Sequence, residues 1–152
     1  MATIRPTMPW PILCRDLLLA ALPAIAACSG LHDEMTQYAA LGPRYEARTW
    51  LATNANPYPL ASNRFESATA GAAFVDSLYA LGADTVYVMN VQEDSAWVAR
   101  EGGPYADALL IRLPDTPESR QSLFARGARE ARAEGFEPEA DHDQRYLYLW
   151  WD

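Results

Sequence analysis

The sequence predicts an α+β domain over residues 58–152, and three patterns support this fold class. Apolar side chains recur at helical spacing in two stretches, over residues 68–81 and 115–134. The run Ala-Leu-Leu-Ile within residues 106–113 is apolar on both faces, which is typical of a buried strand. Residues 145–151 alternate aromatic and aliphatic side chains, as a strand with two different faces does.

Two elements are predicted before the first long helix. Pro43 occupies a favourable first helical position, and residues 44–53 are predicted to continue that helix. A loop over residues 54–59 follows, because its asparagines and prolines interrupt regular structure. Residues 60–65 are then predicted to form a short strand.

The middle of the chain predicts a helix followed by two strands. Ser67 is suited to cap a helix over 68–81. Residues 84–91 are predicted to be a strand, because their valines favour extended backbone. After a polar connection in which residues 96–98 extend a hairpin, residues 106–113 form the buried strand.

The last third predicts one more helix and one more strand. Asp115 is placed as a helix cap, with Pro117 in the first turn, and Gly135 ends the helix. A strand over residues 145–151 completes the chain. The resulting order of elements resembles the ferredoxin-like βαββαβ arrangement, in which two helices cover one face of a four-stranded antiparallel sheet.

Charge excludes some classes of partner. The chain has 20 acidic and 12 basic residues, and its formal charge is −8. Without residues 1–27 it carries 19 acidic and 10 basic residues, a charge of −9. Such a surface repels phosphate backbones, so we expect no nucleic-acid partner.

The N-terminus has the layout of an export signal over residues 1–27. Arg5 and Arg15 give it a positive start, and residues 17–27 are an uncharged apolar run that ends in small residues. That run has 11 residues, fewer than the roughly 18 to 20 that span a bilayer as a helix. It is therefore expected to direct export and not to anchor the chain by itself.

The sequence Ile25-Ala26-Ala27-Cys28 resembles the lipobox of bacterial lipoprotein precursors. The resemblance covers only the signal region. It implies cleavage before Cys28 and attachment of a diacylglyceryl group to its thiol, which would anchor the chain in a bacterial membrane facing the periplasm. In Gram-negative lipoproteins Asp in the next position is associated with inner-membrane retention, so Ser29 favours the outer membrane.

Two alternatives to the lipobox stay open. An ordinary signal peptidase would cut after Ala26 and leave Cys28 as a thiol, or the N-terminus would be an apolar helix of a cytosolic protein. In the lipoprotein interpretation residues 28–57 form a tether with a short helix. Of the two cysteines, Cys14 is then removed, and the folded domain has no internal disulfide.

The last strand is the first choice for a binding surface. Leu147 and Leu149 point to one face, which we expect the helices to cover. The other face would carry the aromatic set Tyr146, Tyr148 and Trp150, with Tyr87 and Met89 from a neighbouring strand. An open aromatic face predicts contact with a protein partner or a homodimer. In the alternative, residues 44–50 or the tether pack over it as a second core.

Few features of the sequence support a catalytic function. Asp141, His142 and Asp143 offer carboxylate and imidazole groups for a divalent cation, but the run has no recognised ligand spacing and suits a solvated turn. No nucleophile elbow, HExxH helix or phosphate-binding glycine loop occurs, and no cofactor is expected.

The function expected from the sequence is protein binding or assembly at a membrane face. The first alternative is a small metal-assisted hydrolase that uses the acidic run with His142. The second is an inhibitor or immunity-type protein whose acidic surface masks a basic partner.

Overall fold

The computed structural model of the chain describes residues 41–151 together with Thr36, Tyr38 and Ala39. Its strands are β1 (Tyr45–Glu46), β2 (Thr85–Gln92), β3 (Tyr105–Arg112) and β4 (Tyr146–Trp150). Its helices are α1 (Ala47–Thr53), α2 (Ala68–Ala80), α3 (Ser95–Glu101) and α4 (Pro117–Ala133). The predicted signal sequence and the lipobox-like segment with Cys28 lie outside the described residues.

The predicted α+β class and the antiparallel four-stranded sheet are confirmed. The strands lie in the order β1-β2-β3-β4, and each neighbouring pair is antiparallel. The order along the chain differs from a strict βαββαβ pattern, because two helices separate β1 from β2 and a further helix separates β2 from β3.

The prediction of a strand over residues 60–65 is wrong. Leu60 makes a single parallel bridge to Ala106, and the chain then turns. Ala61 has a φ of 32°, and its carbonyl oxygen accepts hydrogen bonds from the backbone of Arg64 and Phe65, each at 2.8 Å. This turn stops the strand after one residue, and β4 pairs with β3 over the following positions.

The helix predicted over residues 44–53 is shorter than expected. Pro43 precedes it, and Tyr45 and Glu46 form β1. The Glu46 carboxylate caps α1 by accepting hydrogen bonds from the Arg48 and Thr49 backbone at 3.2 and 2.8 Å. Because Trp50 is buried in the main core, α1 belongs to the folded domain and not to a tether over 28–57.

Local signals located the α2 helix correctly. The Ser67 hydroxyl accepts a hydrogen bond from the Ala70 backbone at 3.1 Å, as a helix cap does. Gly82, just beyond the helix, has a φ of 99°, a left-handed conformation that suits glycine.

The hairpin extension predicted over residues 96–98 is also wrong, because these residues lie in α3. Asp94 caps this helix by accepting hydrogen bonds from the Ala96 and Trp97 backbone at 3.1 and 3.0 Å. Gly102 ends it with a φ of 82°. α3 buries none of its residues, so it forms a helical loop between two paired strands.

The cap of the α4 helix lies one residue later than predicted. Thr116, and not Asp115, occupies the cap position, without a side-chain hydrogen bond, and Pro117 is the first helical residue. At the other end Gly135 has a φ of 81°, and the Phe136 backbone donates to the Ala131 carbonyl at 2.8 Å. This closure sends Phe136 back toward the sheet.

The main core lies between one face of the sheet and three helices. Helices α1, α2 and α4 each contribute buried apolar residues to it. The sheet contributes Val86, Val88, Ala106, Leu109, Ile111, Leu147 and Leu149. Trp151, just after β4, is 1% exposed within the same core. None of the helices in the described part of the chain is long and apolar enough to cross a membrane.

Candidate binding site at the edge of β4

The two faces of β4 are divided as the alternation predicts. Leu147 and Leu149 belong to the main core under the helices. Tyr146 and Tyr148 lie on the opposite face of the sheet, where they pack against a second, smaller cluster of buried residues. That cluster consists of Tyr38, Met89, Ala108 and Leu110, with Tyr87 at its margin.

This second face is not an open aromatic surface. The Tyr38 ring is 5.9 Å from that of Tyr146 and 6.0 Å from that of Tyr148, between ring centroids, and only 8% of Tyr38 is exposed. Leu41 packs on the same cluster, and Met89 beneath is fully buried. The described geometry therefore fits the alternative in which the segment before the domain forms a second core.

Coverage by Tyr38 affects the ionisation of Tyr148. Burial, followed by the charge of Asp107 and the neighbouring Tyr38, raises the pKa of the Tyr148 hydroxyl to about 12. The ordinary value is 10.0. The folded state thus holds the Tyr148 proton more tightly than the unfolded chain does.

We expect the contribution of Tyr148 to stability to be complete below pH 10 and to be lost as the pH rises to about 12. Replacing Tyr38 by alanine should lower the pKa of Tyr148 toward 10, because it uncovers the ring. An absorbance titration of phenolate, with circular dichroism on the same samples, measures this shift. Tyr148→Phe lacks the ionising hydroxyl and so identifies which transition near pH 12 belongs to Tyr148. If that transition were unchanged in Tyr38→Ala, the covering role of Tyr38 would be contradicted.

The outer edge of β4 carries backbone groups that point away from the sheet. The Trp151 backbone donates to Asp107 at 3.1 Å, and Leu113 donates to Arg145 at 2.8 Å. Hydrogen-bonded positions alternate along an antiparallel strand, so odd-numbered residues here bond to β3. The N–H and C=O groups of Tyr146, Tyr148 and Trp150 therefore face outward. Among the described strands, only β3 pairs with β4.

A cavity of about 230 Å³ lies along this edge. Leu147 and Leu149 from one face of β4 and Tyr148 and Trp150 from the other line it together, which is only feasible at the edge of a strand. The opposite wall is formed by the end of α4 and the loop after it, through Gly127, Glu130, Ala131, Phe136, Glu137 and Glu139.

Two exposed aromatic rings stand at the mouth of the cavity. Phe136 is 42% exposed and Trp150 is 37% exposed. Their centroids are 5.4 Å apart with an interplanar angle of 23°, so the rings are stacked. Trp150 was a predicted site residue, whereas Phe136 was not among the predicted site residues. The glycine that ends α4 is the sequence signal that could have placed Phe136 near the strand.

Gly127 sets the distance between α4 and β4. A Cβ atom at this position would lie 3.0 Å from Leu147 Cδ2 and 3.3 Å from Leu149 Cδ2. Both distances are shorter than ordinary carbon contacts. The absence of a side chain at Gly127 therefore allows the helix to approach β4 closely beside the cavity.

A buried carboxylate at the base of the cavity is paired with arginine side chains of the same chain. Glu130 is 6% exposed and accepts two hydrogen bonds from Arg64, at 2.8 and 3.2 Å. Trp151 Nε1 donates to the same carboxylate at 3.4 Å, and Arg126 Nε lies 3.4 Å from it. These contacts join the loop after α1, α4 and the end of the chain.

The acidic residues proposed as metal ligands form an arginine-bound loop. Arg120 donates to both oxygens of Asp141, at 3.0 and 2.5 Å, and its hydrogen bond lowers the pKa of that carboxyl. The Asp143 backbone donates to Asp141 as well. In the described part of the chain, no group of three or more His, Cys, Asp and Glu side chains is arranged to hold a metal ion, so His142 is not placed with the two aspartates as a ligand set.

The described residues thus bring together the outer edge of a strand, an apolar cavity and two exposed rings, all around β4. Cys28, the predicted lipid acceptor, lies outside them. No protein-family model, curated protein or solved structure matches this chain.

Proposed function

We propose that this chain is an exported, lipid-anchored bacterial protein that binds a protein partner through the edge of β4. The observation that carries the binding role is the stacked Phe136–Trp150 pair beside an apolar cavity. Large exposed aromatic rings at a cavity are typical of residues that dominate the binding energy of protein interfaces. The predicted surface thereby moves from the open face of the sheet to its edge.

The proposed location rests on the N-terminal sequence. The lipobox-like Ile25-Ala26-Ala27-Cys28 places a lipid on Cys28, and Ser29 favours the outer membrane. Several acyl chains on one residue anchor a protein stably, since each buried methylene contributes about 0.8 kcal/mol. The domain would then act at the periplasmic face of the membrane.

We also relate the fold to the ferredoxin-like arrangement. Its support is the parallel bridge between Leu60 and Ala106, which pairs the first and third predicted strands. In this interpretation the turn at Ala61 has shortened the strand predicted over residues 60–65 to one residue. β4 then occupies the position beside β3 that this strand would otherwise take.

One experiment with two arms tests the proposal. In the binding arm, a photo-crosslinking amino acid replaces Phe136 in the native cell, and Tyr58, which is 50% exposed, provides the control position. We expect an adduct of defined mass at Phe136 only, and Trp150→Ser should reduce its yield about tenfold or more, because truncating such a ring costs about 2 kcal/mol. Trp97→Ser, at a ring that is 38% exposed, should leave the yield unchanged.

An adduct of twice the mass of the chain would identify a homodimer, and any other mass a different partner. Equal labelling at Phe136 and Tyr58, or no effect of Trp150→Ser, would rule out the edge of β4 as the binding surface. The anchoring arm compares Cys28→Ser with the unaltered chain in cells that receive labelled fatty acid. Lipid incorporation that persists in Cys28→Ser would refute the lipid anchor.

A further inference from the structure

We propose that the β4 edge binds an extended, basic peptide segment, which adds to the sheet as a fifth strand. This inference rests on the proposed binding function and names the class of partner. Its first support is the backbone: Tyr148 and Trp150, which also line the cavity, present outward N–H and C=O groups. A peptide that pairs with these groups gains main-chain hydrogen bonds independently of its sequence.

The cavity supplies the second support, because it lies where side chains of an added strand would reach. A new strand would run about 4.8 Å from β4, between that strand and the end of α4. Every second side chain would point to the side of the sheet that α4 covers. There Leu147, Leu149 and Ala131 offer apolar surface for an aliphatic side chain.

Charge defines the chemistry of this segment. Residues 134–144, which form the outer wall, contain five acidic residues and no arginine or lysine. Glu137 and Glu139 line the cavity directly, and both are exposed. Asp141 is engaged by Arg120 and the buried Glu130 by Arg64, whereas Glu139 accepts a hydrogen bond from the neutral Gln144 side chain at 3.0 Å. Glu137 and Glu139 are therefore the carboxylates lining the cavity that we expect to meet basic side chains.

The stacked rings complete the site. Phe136 and Trp150 present ring surface at the mouth of the cavity, next to Glu137. Arginine binds well in such a setting, because its planar guanidinium stacks on aromatic rings while it pairs with a carboxylate. A segment with an aliphatic residue and an arginine two positions apart places both side chains on the same face of the added strand.

Three labelled heptapeptides test this inference on the full chain in detergent micelles. The first has threonine at even positions and alternates arginine with valine at odd positions; the second has glutamate in place of arginine. The third is the arginine peptide N-methylated at alternate amides, which removes strand pairing and keeps the charge. We expect only the first peptide to bind by fluorescence anisotropy, with an affinity that falls as salt rises.

The double variant Glu137→Gln with Glu139→Gln should weaken binding of the first peptide about tenfold, because two charge-assisted contacts are lost. Glu66→Gln with Glu118→Gln removes two exposed carboxylates elsewhere and should change nothing. Nuclear magnetic resonance should show the largest amide shifts at Tyr148 and Trp150.

Binding of the glutamate or the N-methylated peptide as tightly as the first, or failure of all three, would overturn the inference. The crosslinking experiment separates this failure from that of the proposed function. If adducts at Phe136 still depend on Trp150, a protein partner binds the edge by other chemistry. If they do not, the binding site itself is refuted.

Discussion

Replacing Trp151 by alanine is expected to lower the free energy of unfolding by about 3–5 kcal/mol. Trp151 is 1% exposed, and its ring lies 5.4 Å from Phe65 and 5.7 Å from Phe74, between centroids. Its removal opens a cavity among large rings and deprives Glu130 of a hydrogen-bond donor. Urea denaturation followed by circular dichroism measures the loss.

Trp150→Ala is the matched control for this variant, because the two tryptophans are neighbours that differ in burial. Trp150 is 37% exposed, so its replacement should cost about 1 kcal/mol or less. Equal losses for the two variants would contradict the placement of Trp151 in the core. The difference also affects the choice of binding test: removing both residues would disrupt the core, whereas changing Trp150 alone leaves the core intact.

Replacing Glu130 by glutamine should destabilise the domain by about 3 kcal/mol, near the lower end of the range for breaking a buried ion pair. The carboxylate is buried and accepts two hydrogen bonds from Arg64, whose side chain is 36% exposed and can regain some hydration. Arg126, with a side chain 25% exposed, would lose its nearby counter-charge as well. The same denaturation measurement gives the effect.

Asp76→Asn provides a control for the loss of one carboxylate charge. Asp76 pairs with Arg48 at 2.7 Å, but these side chains are 62% and 52% exposed. Its replacement should change the free energy of unfolding by less than about 1 kcal/mol. If Glu130→Gln were as mild as Asp76→Asn, the buried cluster would contribute nothing specific to stability.

Elements whose signals lie within a few residues were predictable from the sequence. Ser67 and Gly82 bracket α2 because capping and a left-handed turn are local properties. The alternation in β4 also predicted correctly which side chains face the helices. Leu147 and Leu149 face the helices because successive side chains of any strand point to opposite faces of the sheet.

Elements that depend on distant partners were not predictable in the same way. β1 is only two residues long, and it exists because Tyr45 and Glu46 lie opposite Val88 and Tyr87. The strand predicted at residues 60–65 is limited to one bridge between Leu60 and the distant Ala106, after which the chain turns at Ala61. A short strand or turn has too few local interactions to decide its own conformation.

The candidate site also combines features that local spacing predicts with features that only distant contacts determine. Tyr146, Tyr148 and Trp150 were identified from their spacing, but spacing alone does not reveal what covers each ring. Tyr38, more than a hundred residues away along the chain, covers the first two. Phe136 stacks on Trp150 only because the end of α4 directs it there, so the exposed pair emerges from tertiary structure.

The two edges of the sheet are unequal, which limits how copies of the chain could polymerise. One edge is a full strand, β4, whereas the other is the two-residue strand β1, after which the chain turns into α1. Open-ended growth requires a second edge that pairs as β4 does, and a two-residue strand offers little to pair with. Copies that met through β4 would form a closed two-fold pair, so an accessible strand edge does not commit this protein to fibre formation.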